Sequence, residues 1–491
     1  MIKKNDRLTL DITDIGIHGE GIGKLDGFPF FVKNALPGDR AEVVVTKVKP
    51  SYAYAKALTL LTPSPDRVVP PCPVADQCGG CQIQALSYEK QLEYKQSLVR
   101  ERLIRIGGFD QELVDAVTEP IRGMGDPWRY RNKAQYPVAY TTEQTADHTD
   151  GHAAVGFYAG RTHHLIEHRD CLLEPEINAR ILETVLEYVN ARGISPYNEE
   201  NGTGILRHIM IRHGFATKEI LLCLIVRKYR EEAWKGLIPA LEESGLLAEN
   251  ESGQEDEAKP HIVSVGFSVQ PKQNNVVMGR NYISVYGSSY LTDRIGDVSF
   301  RISPQSFYQV NPAQMKVLYD LAADCAQLTG RETVWDLYCG IGTIGLYLAR
   351  QAKRVIGVEI VPEAVANARE NARLNSIGNA EFYEGAAEDV FALLRDEYVP
   401  GRKAVPGEAA DQVVIVDPPR KGCDQRLLDA ISAFRPERIV YVSCDPATLA
   451  RDLKTLCARG YELKRVAPVD QFCHGVHCEV VVSMSRVGSR L

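Results

Sequence analysis

The residues with the clearest chemical potential in this chain are cysteines, and their spacing divides them into two groups. The first is a single residue. Ser443-Cys444-Asp445-Pro446 ends the apolar run RIVYVSC. A thiol there, at a strand end with proline about to open a helix, stands where a nucleophile can meet a ligand at a sheet edge. A free thiol has a pKa of about 8.5, so Cys444 needs activation by its surroundings or by what it attacks. Glu479, opening the run EVVVSMSR, is the candidate base. Cys423, in DPPRKGCD, is the serious rival nucleophile, and Cys473 and Cys478 are lesser ones. With His474 and His477 those two imitate a metal site, a reading their hairpin setting opposes. Cys223, Cys325 and Cys457 lie in apolar or helical stretches and read as small buried hydrophobes, as does Cys339 beside a glycine-rich turn.

The second group is Cys72-x5-Cys78-Gly-Gly-Cys81, whose glycines let backbone wrap a ligand closely. Cys171, the next cysteine along the chain, is the candidate fourth member. Four thiolates suit either tetrahedral zinc or a cubane iron–sulfur cluster. Zinc ribbons usually present paired CxxC motifs. A 5-then-2 spacing with one remote ligand departs from them and favours [4Fe-4S]. A radical-type cluster is disfavoured, because CxxxCxxC is absent and no (β/α)8 pattern follows. Cysteines clustered this way argue for metal or catalysis rather than a disulfide framework.

A third set of residues defines a cofactor crevice. DLYCGIGTIG, from Asp336 to Gly345, contains GxGxxG as Gly340, Gly342 and Gly345. Alone that pattern reads first as a dinucleotide site. Glu359, ending the next strand, is the acid expected on ribose hydroxyls. Two features favour S-adenosylmethionine instead. Asp336 precedes the turn where a pyrophosphate would tolerate no negative charge, and Asp417-Pro418-Pro419-Arg420 follows the fourth strand, where nucleotide-modifying methyltransferases meet their target base. With that cofactor the pieces compose one reaction. A Cys444 thiolate adds to C6 of uracil, electron density moves to C5, and C5 takes the methyl group by in-line displacement. A base then removes the C5 proton so that the thiolate can leave.

These residues need a frame, and the apolar periodicity supplies one. Residues 6–61 alternate apolar and polar positions between glycine and proline breaks, which predicts a small β-barrel. The proline-rich stretch 62–71 is a linker, and 86–106 has helical spacing ended by Gly107-Gly108. Residues 128–300 mix strands and helices in α+β texture, with polar surface segments at 141–152 and 245–260. Beyond about residue 310, strands (TVWDLY, RVIGVEI, AEFYEG, QVVIVDPP, RIVYVSC) alternate with helices, the signature of a doubly wound parallel sheet. ELKRVAPVD and CEVVVSMSR are close enough to pair as a terminal hairpin. The expected domains are 1–62, 63–300 and 301–491. At 491 residues, 44% hydrophobic and 25% charged, the chain is a globular protein. It has no apolar run of membrane-spanning length. Its first residues lack a signal-peptide core, so the expectation is cytoplasmic. A net charge of −7 does not advertise nucleic-acid binding, although local charge matters more. Much of the acid lies in apparent surface segments such as that of Glu249, Glu251, Glu255, Asp256 and Glu257.

Taken together, these motifs resemble the RNA uracil-C5 methyltransferases, specifically the iron–sulfur branch that makes 5-methyluridine in 23S ribosomal RNA. The resemblance covers nearly the whole chain. The 6–61 barrel resembles a TRAM domain, an oligonucleotide-binding fold. CPVADQCGGC followed by CQIQALSYEKQLEYK resembles the cluster segment, and HRDC the fourth ligand. SFYQVN, DLYCGIGTIG, GVEI, DPPRKG and SCDP resemble the transferase motifs in order. It implies a TRAM barrel, a central α+β domain with a cluster on Cys72, Cys78, Cys81 and Cys171, and a Rossmann-like S-adenosylmethionine-dependent domain. It implies cofactor contacts at Gln309, Tyr338, Glu359 and Asp417, the nucleophile at Cys444, the base at Glu479, and packing of residues 86–125 on the C-terminal domain. One departure stands out: the family often has phenylalanine-proline before the last strand, whereas here the sequence is Phe472-Cys473-His474-Gly475.

RNA is the implied partner, 23S rRNA first and tRNA second, with a monomer as the default. The target base must leave its stack to reach Cys444. Trp128, Arg129, Tyr130, Arg131 and Lys133 interleave aromatic and basic side chains suited to gripping a strand, and Arg207, His208, Arg212 and His213 are further candidates. The alternatives are methylation of uridine-54 in tRNA, of cytosine through Cys423, and a non-catalytic assembly factor. An NAD-dependent oxidoreductase would leave SCDP and DPPR without a purpose.

Overall fold

The computed structural model describes residues 2–141, 151–160, 162–247, 259–398 and 411–488. Most of the two polar segments, with the acids at 249–257, lies outside the described residues. The first unit is a closed barrel of β1 (Arg7–Ile15), β2 (Gly21–Leu25), β3 (Phe28–Lys33), β4 (Arg40–Val48) and β5 (Ala53–Thr62), in the order β1-β2-β3-β5-β4. Strand alternation turns Leu10, Ile12, Phe30, Val32, Val43 and Val45 into its core. Closure leaves no unpaired edge. Arg67 in the linker pairs with the buried Asp39 at 2.6 Å, tying the linker back onto the barrel.

Two helices come next, α1 (Tyr88–Arg102) and α2 (Gln111–Val117). They lie against the C-terminal sheet. Lys95 of α1 forms an ion pair with Asp470, both side chains fully buried. The stretch after α2 runs beside the sheet edge, Glu119 N–H donating to Val466 O at 2.8 Å and Arg122 N–H to Pro468 O at 2.9 Å.

The central unit is a seven-stranded mixed sheet. Its strands are β6 (Lys133–Thr141), β7 (His152–Tyr158), β8 (Leu165–Glu167), β9 (Leu206–His213), β10 (Glu219–Val226), β11 (His261–Val269) and β12 (Asn281–Gly287), in the order β12-β11-β10-β9-β6-β7-β8. Helix α3 (Ile177–Ala191) and the short α4 (Glu231–Trp234) and α5 (Leu237–Glu243) cover one face around Val185, Leu222 and Phe267. A hairpin of β13 (Leu291–Ile295) and β14 (Val298–Ile302) leads onward.

The last unit is the frame for the chemistry. It contains β15 (Thr333–Leu337), β16 (Arg354–Glu359), β17 (Ala380–Glu384), β18 (Gln412–Val416), β19 (Arg438–Ser443), β20 (Tyr461–Val469) and β21 (Glu479–Arg486). The sheet order is β17-β16-β15-β18-β19-β21-β20, parallel except for antiparallel β21. The helices are α6 (Pro312–Ala326), α7 (Thr343–Leu348), α8 (Pro362–Leu374), α9 (Ala387–Tyr398), α10 (Gln425–Phe434) and α11 (Pro446–Cys457). They cover both faces, and the central strands are buried throughout. Strand order reverses between β15 and β18, and at such a switch point a ligand crevice opens beyond the carboxyl ends of the strands. No helix among the described residues is long and apolar enough to cross a membrane.

Candidate active site and cysteine cavity

The turn after β15 is built for close approach. Gly342 has φ +81°, and a Cβ on it would sit 3.0 Å from the Phe382 ring. A Cβ on Gly345 would sit 2.7 Å from an Asp336 oxygen, which instead accepts the Gly345 N–H at 2.8 Å. The two Glu359 oxygens accept the Gly340 and Val361 N–H groups, each at 3.0 Å. Both acids thus brace the turn, and Asp336 keeps its second oxygen buried without a hydrogen-bond partner.

Four acids and a thiol crowd this edge. Burial pushes the Asp336 carboxyl up to about 7, against the Gly345 N–H and helped by Glu359. Asp417, just past β18, is also pushed up to about 7, by burial and then by Asp336. Glu479 opens antiparallel β21, so it arrives at the edge that Cys444 leaves. Burial and then Asp417 raise its carboxyl to about 8, against the Arg420 guanidinium, and its Oε2 has no hydrogen-bond partner. Burial pushes the half-exposed Cys444 thiol up to about 11, Glu479 and Asp417 adding to it and Arg420 opposing. Strand register places these groups together: Ser443 pairs with Val480, which sets Cys444 beside Glu479. Asp336 and Asp417 lie at the ends of the adjacent strands β15 and β18, with Glu359 at the end of β16 next door. Asp445 caps α11 by accepting the Ala447 and Thr448 N–H groups, fixing the backbone beside Cys444.

The two residues placed by resemblance alone sit differently. Gln309 is buried and its Oε1 accepts the Gln471 amide at 3.3 Å. Tyr338 has φ +68°, and its ring packs at the margin of the apolar layer that contains Cys423 and Leu427. Tyr319 of α6 is a further member of the site that sequence reasoning does not single out. Its hydroxyl donates to Thr343 Oγ1 at 2.8 Å, and Asp417, Asp336 and Glu479 all act on it. Helical spacing marks it only as an apolar-face residue, so no sequence signal distinguishes it.

The rival thiols are enclosed. Cys423 is buried with its N–H on Asp452, and Cys478 lies beneath the hairpin, contacting Val469 O. Cys473, His474, His477 and Cys478 do not converge on a metal position. Most of the residues expected to grip RNA are engaged within the chain. Trp128 stacks on His474 with centroids 3.9 Å apart, Tyr130 is buried with its hydroxyl on Cys473 O, and Arg129 pairs with Asp170. Arg207 bonds the carbonyls of Gln270 and Lys272, and Arg212 those of Ser303 and Ser306. His213 bonds Asn178 at 2.6 Å, and His208 is buried. The physical reason is sheet order: β9 lies inside a seven-stranded sheet covered on both faces, so its basic residues serve interior carbonyls.

Cys72, Cys78, Cys81 and Cys171 line one cavity of about 410 Å³, with Arg131, Lys133, His168 and Glu174 in its walls. Burial pushes the thiols of Cys78 and Cys171 up and that of Cys81 up to about 12, neighbouring thiols adding to each. Among the described residues no three His, Cys, Asp or Glu side chains close on a single ion position. The four side chains are all potential thiolates, a donor set that suits either a zinc ion or an iron–sulfur cluster.

A doubly wound sheet with this turn, ribose-ready acid and terminal antiparallel strand defines an S-adenosylmethionine-dependent methyltransferase fold. The chain belongs to the tRNA (uracil-5-)-methyltransferase family, whose model matches residues 214–487, and a TRAM domain model matches residues 3–58. It is 45% identical over 480 residues to an uncharacterized RNA methyltransferase of Halalkalibacterium halodurans, covering 98% of this chain and 97% of that one. One from Clostridium tetani is 41% identical, covering 100% and 98%. Among solved structures, the tRNA (uracil-54, C5)-methyltransferase of Pyrococcus abyssi in complex with S-adenosyl-L-homocysteine superimposes with a TM-score of 0.69. It is 25% identical, covering 97% of this chain and 100% of that one.

Proposed function

We propose that this enzyme methylates C5 of a uridine in 23S rRNA, through a covalent adduct on Cys444. The observation that carries the reading is the strand register that sets half-buried Cys444, just past β19, beside Glu479, which opens β21 and keeps one carboxyl oxygen buried without a partner. S-adenosylmethionine supplies a methyl group made electrophilic by its cationic sulfur. Gln309, Tyr338, Glu359 and Asp417 are the proposed cofactor contacts, and ionised Asp417 and Asp336 favour a cation.

Cys444 Sγ, as thiolate, forms a bond to C6, and the C5–C6 π pair becomes an enolate. C5 then bonds the methyl carbon as the methyl–sulfur bond breaks. Glu479 takes the C5 proton, that electron pair restores C5=C6, and the C6–sulfur bond breaks to return the thiolate. Arg420 is the cation that lowers the cost of both anions.

Cys72, Cys78, Cys81 and Cys171 are the proposed [4Fe-4S] ligands, supported by their common cavity. That cavity, with the resemblance to the iron–sulfur branch, favours rRNA. A second reading, uridine in tRNA, is favoured by the Pyrococcus abyssi enzyme, whose likeness spans nearly the full chain. Incubation with methyl-labelled S-adenosylmethionine and unmodified 23S rRNA or tRNA, followed by digestion to nucleosides, separates them. The proposal expects label in 5-methyluridine from rRNA. Label from tRNA alone moves the substrate, and label in 5-methylcytidine overturns the reaction.

A further inference from the structure

Residues 470–478 join β20 to β21 and deliver Glu479 to the crevice. This loop is held from two sides by segments that have no part in the chemistry. Helix α1 grips it first: Lys95 Nζ donates to Phe472 O at 2.9 Å, and Tyr88 Oη to an Asp470 oxygen at 2.8 Å. Gln91 Oε1 accepts the His474 N–H at 3.0 Å, and its amide meets His474 Nδ1 at 3.2 Å. The cysteine-bearing segments grip it second. Ile83, two residues past Cys81, donates its N–H to His474 O at 3.1 Å. Trp128 stacks on the His474 ring, and Tyr130 reaches Cys473 O. The segment carrying Trp128 and Tyr130 is itself laid against the Cys171 segment, Arg129 N–H and Arg131 N–H donating to Leu172 O and Leu173 O, each at 2.8 Å. His474 holds a left-handed backbone, φ +65°, a conformation that a non-glycine residue keeps only where its surroundings fix it.

We infer that His474 is a positioning residue for Glu479, clamped between Gln91, Trp128 and Ile83 so that the cysteine-bearing segments set the aim of the base. The inference rests on Glu479 being that base. His474 is buried among Gln91, Trp128 and Ile83. It fixes the loop whose end carries the carboxylate, and a displacement of about 1 Å there costs on the order of a hundredfold in rate. The step affected is removal of the C5 proton, which comes after thiolate addition and methyl transfer.

The test is single-turnover kinetics with labelled RNA and S-adenosylmethionine on the full-length protein. Wild type, Gln91→Leu, Trp128→Leu, His474→Asn and Glu479→Gln are compared. Protein–RNA complex that survives denaturation is followed against free methylated RNA, and thermal midpoints are recorded. His474→Asn is the conservative variant, since asparagine tolerates a left-handed backbone. The expected result is that Gln91→Leu and Trp128→Leu form methylated covalent complex at near the wild-type rate but release it at least tenfold more slowly. His474→Asn should release it at an intermediate rate. Formation and release slowed equally, or release unchanged, in whichever of the two Leu variants folds would overturn the inference. If Glu479→Gln itself traps no complex, the base assignment fails instead, and the two failures are told apart by that one lane.

Discussion

At the scale of the residue, the crevice is governed by carboxyls that resist ionisation. Asp336 and Asp417 are held up at about 7 and Glu479 at about 8, each chiefly by burial. A carboxyl with a higher pKa folded than unfolded keeps its proton in the folded chain first. Between about pH 4 and those values the folded state binds more protons, and stability falls as pH rises. A sulfonium cation favours the ionised forms and restores what is lost. The thermal midpoint gained from saturating S-adenosylmethionine should therefore be larger at pH 8 than at pH 6, with a much flatter dependence for S-adenosylhomocysteine, whose sulfur is neutral. Thermal melts with both ligands check this, and parallel behaviour of the two would contradict it. Turnover should rise over the same interval as Glu479 ionises, which a pH–rate profile checks. Cys444, Glu479, Asp336 and Asp417 were legible because each stands at the end of an apolar strand, where chain position translates directly into edge position. Tyr319 was not, because its approach to three acids depends on how α6 crosses the sheet.

At the scale of the element, α1 and the terminal hairpin act together. Lys95 and Asp470 are a fully buried pair, so removing one partner leaves an uncompensated charge. Lys95→Met should cost about 3–5 kcal/mol. Adding Asp470→Leu should recover much of that, which denaturant unfolding of the single and double variants measures. Periodicity revealed α1, the alternating strands and the hairpin, since each rests on local pattern. It did not reveal what α1 touches. Lys95 looks like an ordinary helix-surface lysine until α1 is laid on the loop after β20. The same limit explains Arg207 and Arg212: an alternating basic strand reads as a surface until the sheet's order shows both faces covered.

At the scale of the whole molecule, three units meet near the crevice. Ile15 and Leu36 of the barrel, Ile83 and Leu86 of the cysteine segment and Val476 of the hairpin loop share one small apolar cluster. The barrel is therefore joined to the catalytic frame at the loop that precedes Glu479. If the four cysteines hold a structural cluster, Cys78→Ser should lose iron and lower the thermal midpoint by several degrees. An unchanged midpoint with iron lost would contradict a structural role. Barrel and doubly wound sheet were visible as changes of period along the chain, whereas the convergence of Cys171 with Cys72, Cys78 and Cys81 joins segments far apart and had no local signal beyond residue type.

In the proposed reaction Cys444 bonds the target uridine and Glu479 releases it. The most direct test is to incubate the Glu479→Gln protein with S-adenosylmethionine and RNA, digest both macromolecules, and determine by mass spectrometry which peptide carries a nucleotide. The expected result is one modified peptide, containing Cys444 joined to a 5-methylated uridine, and none when Cys444→Ala is added. A nucleotide on Cys423, or methylated RNA formed at the wild-type rate by the Cys444→Ala protein, would contradict it.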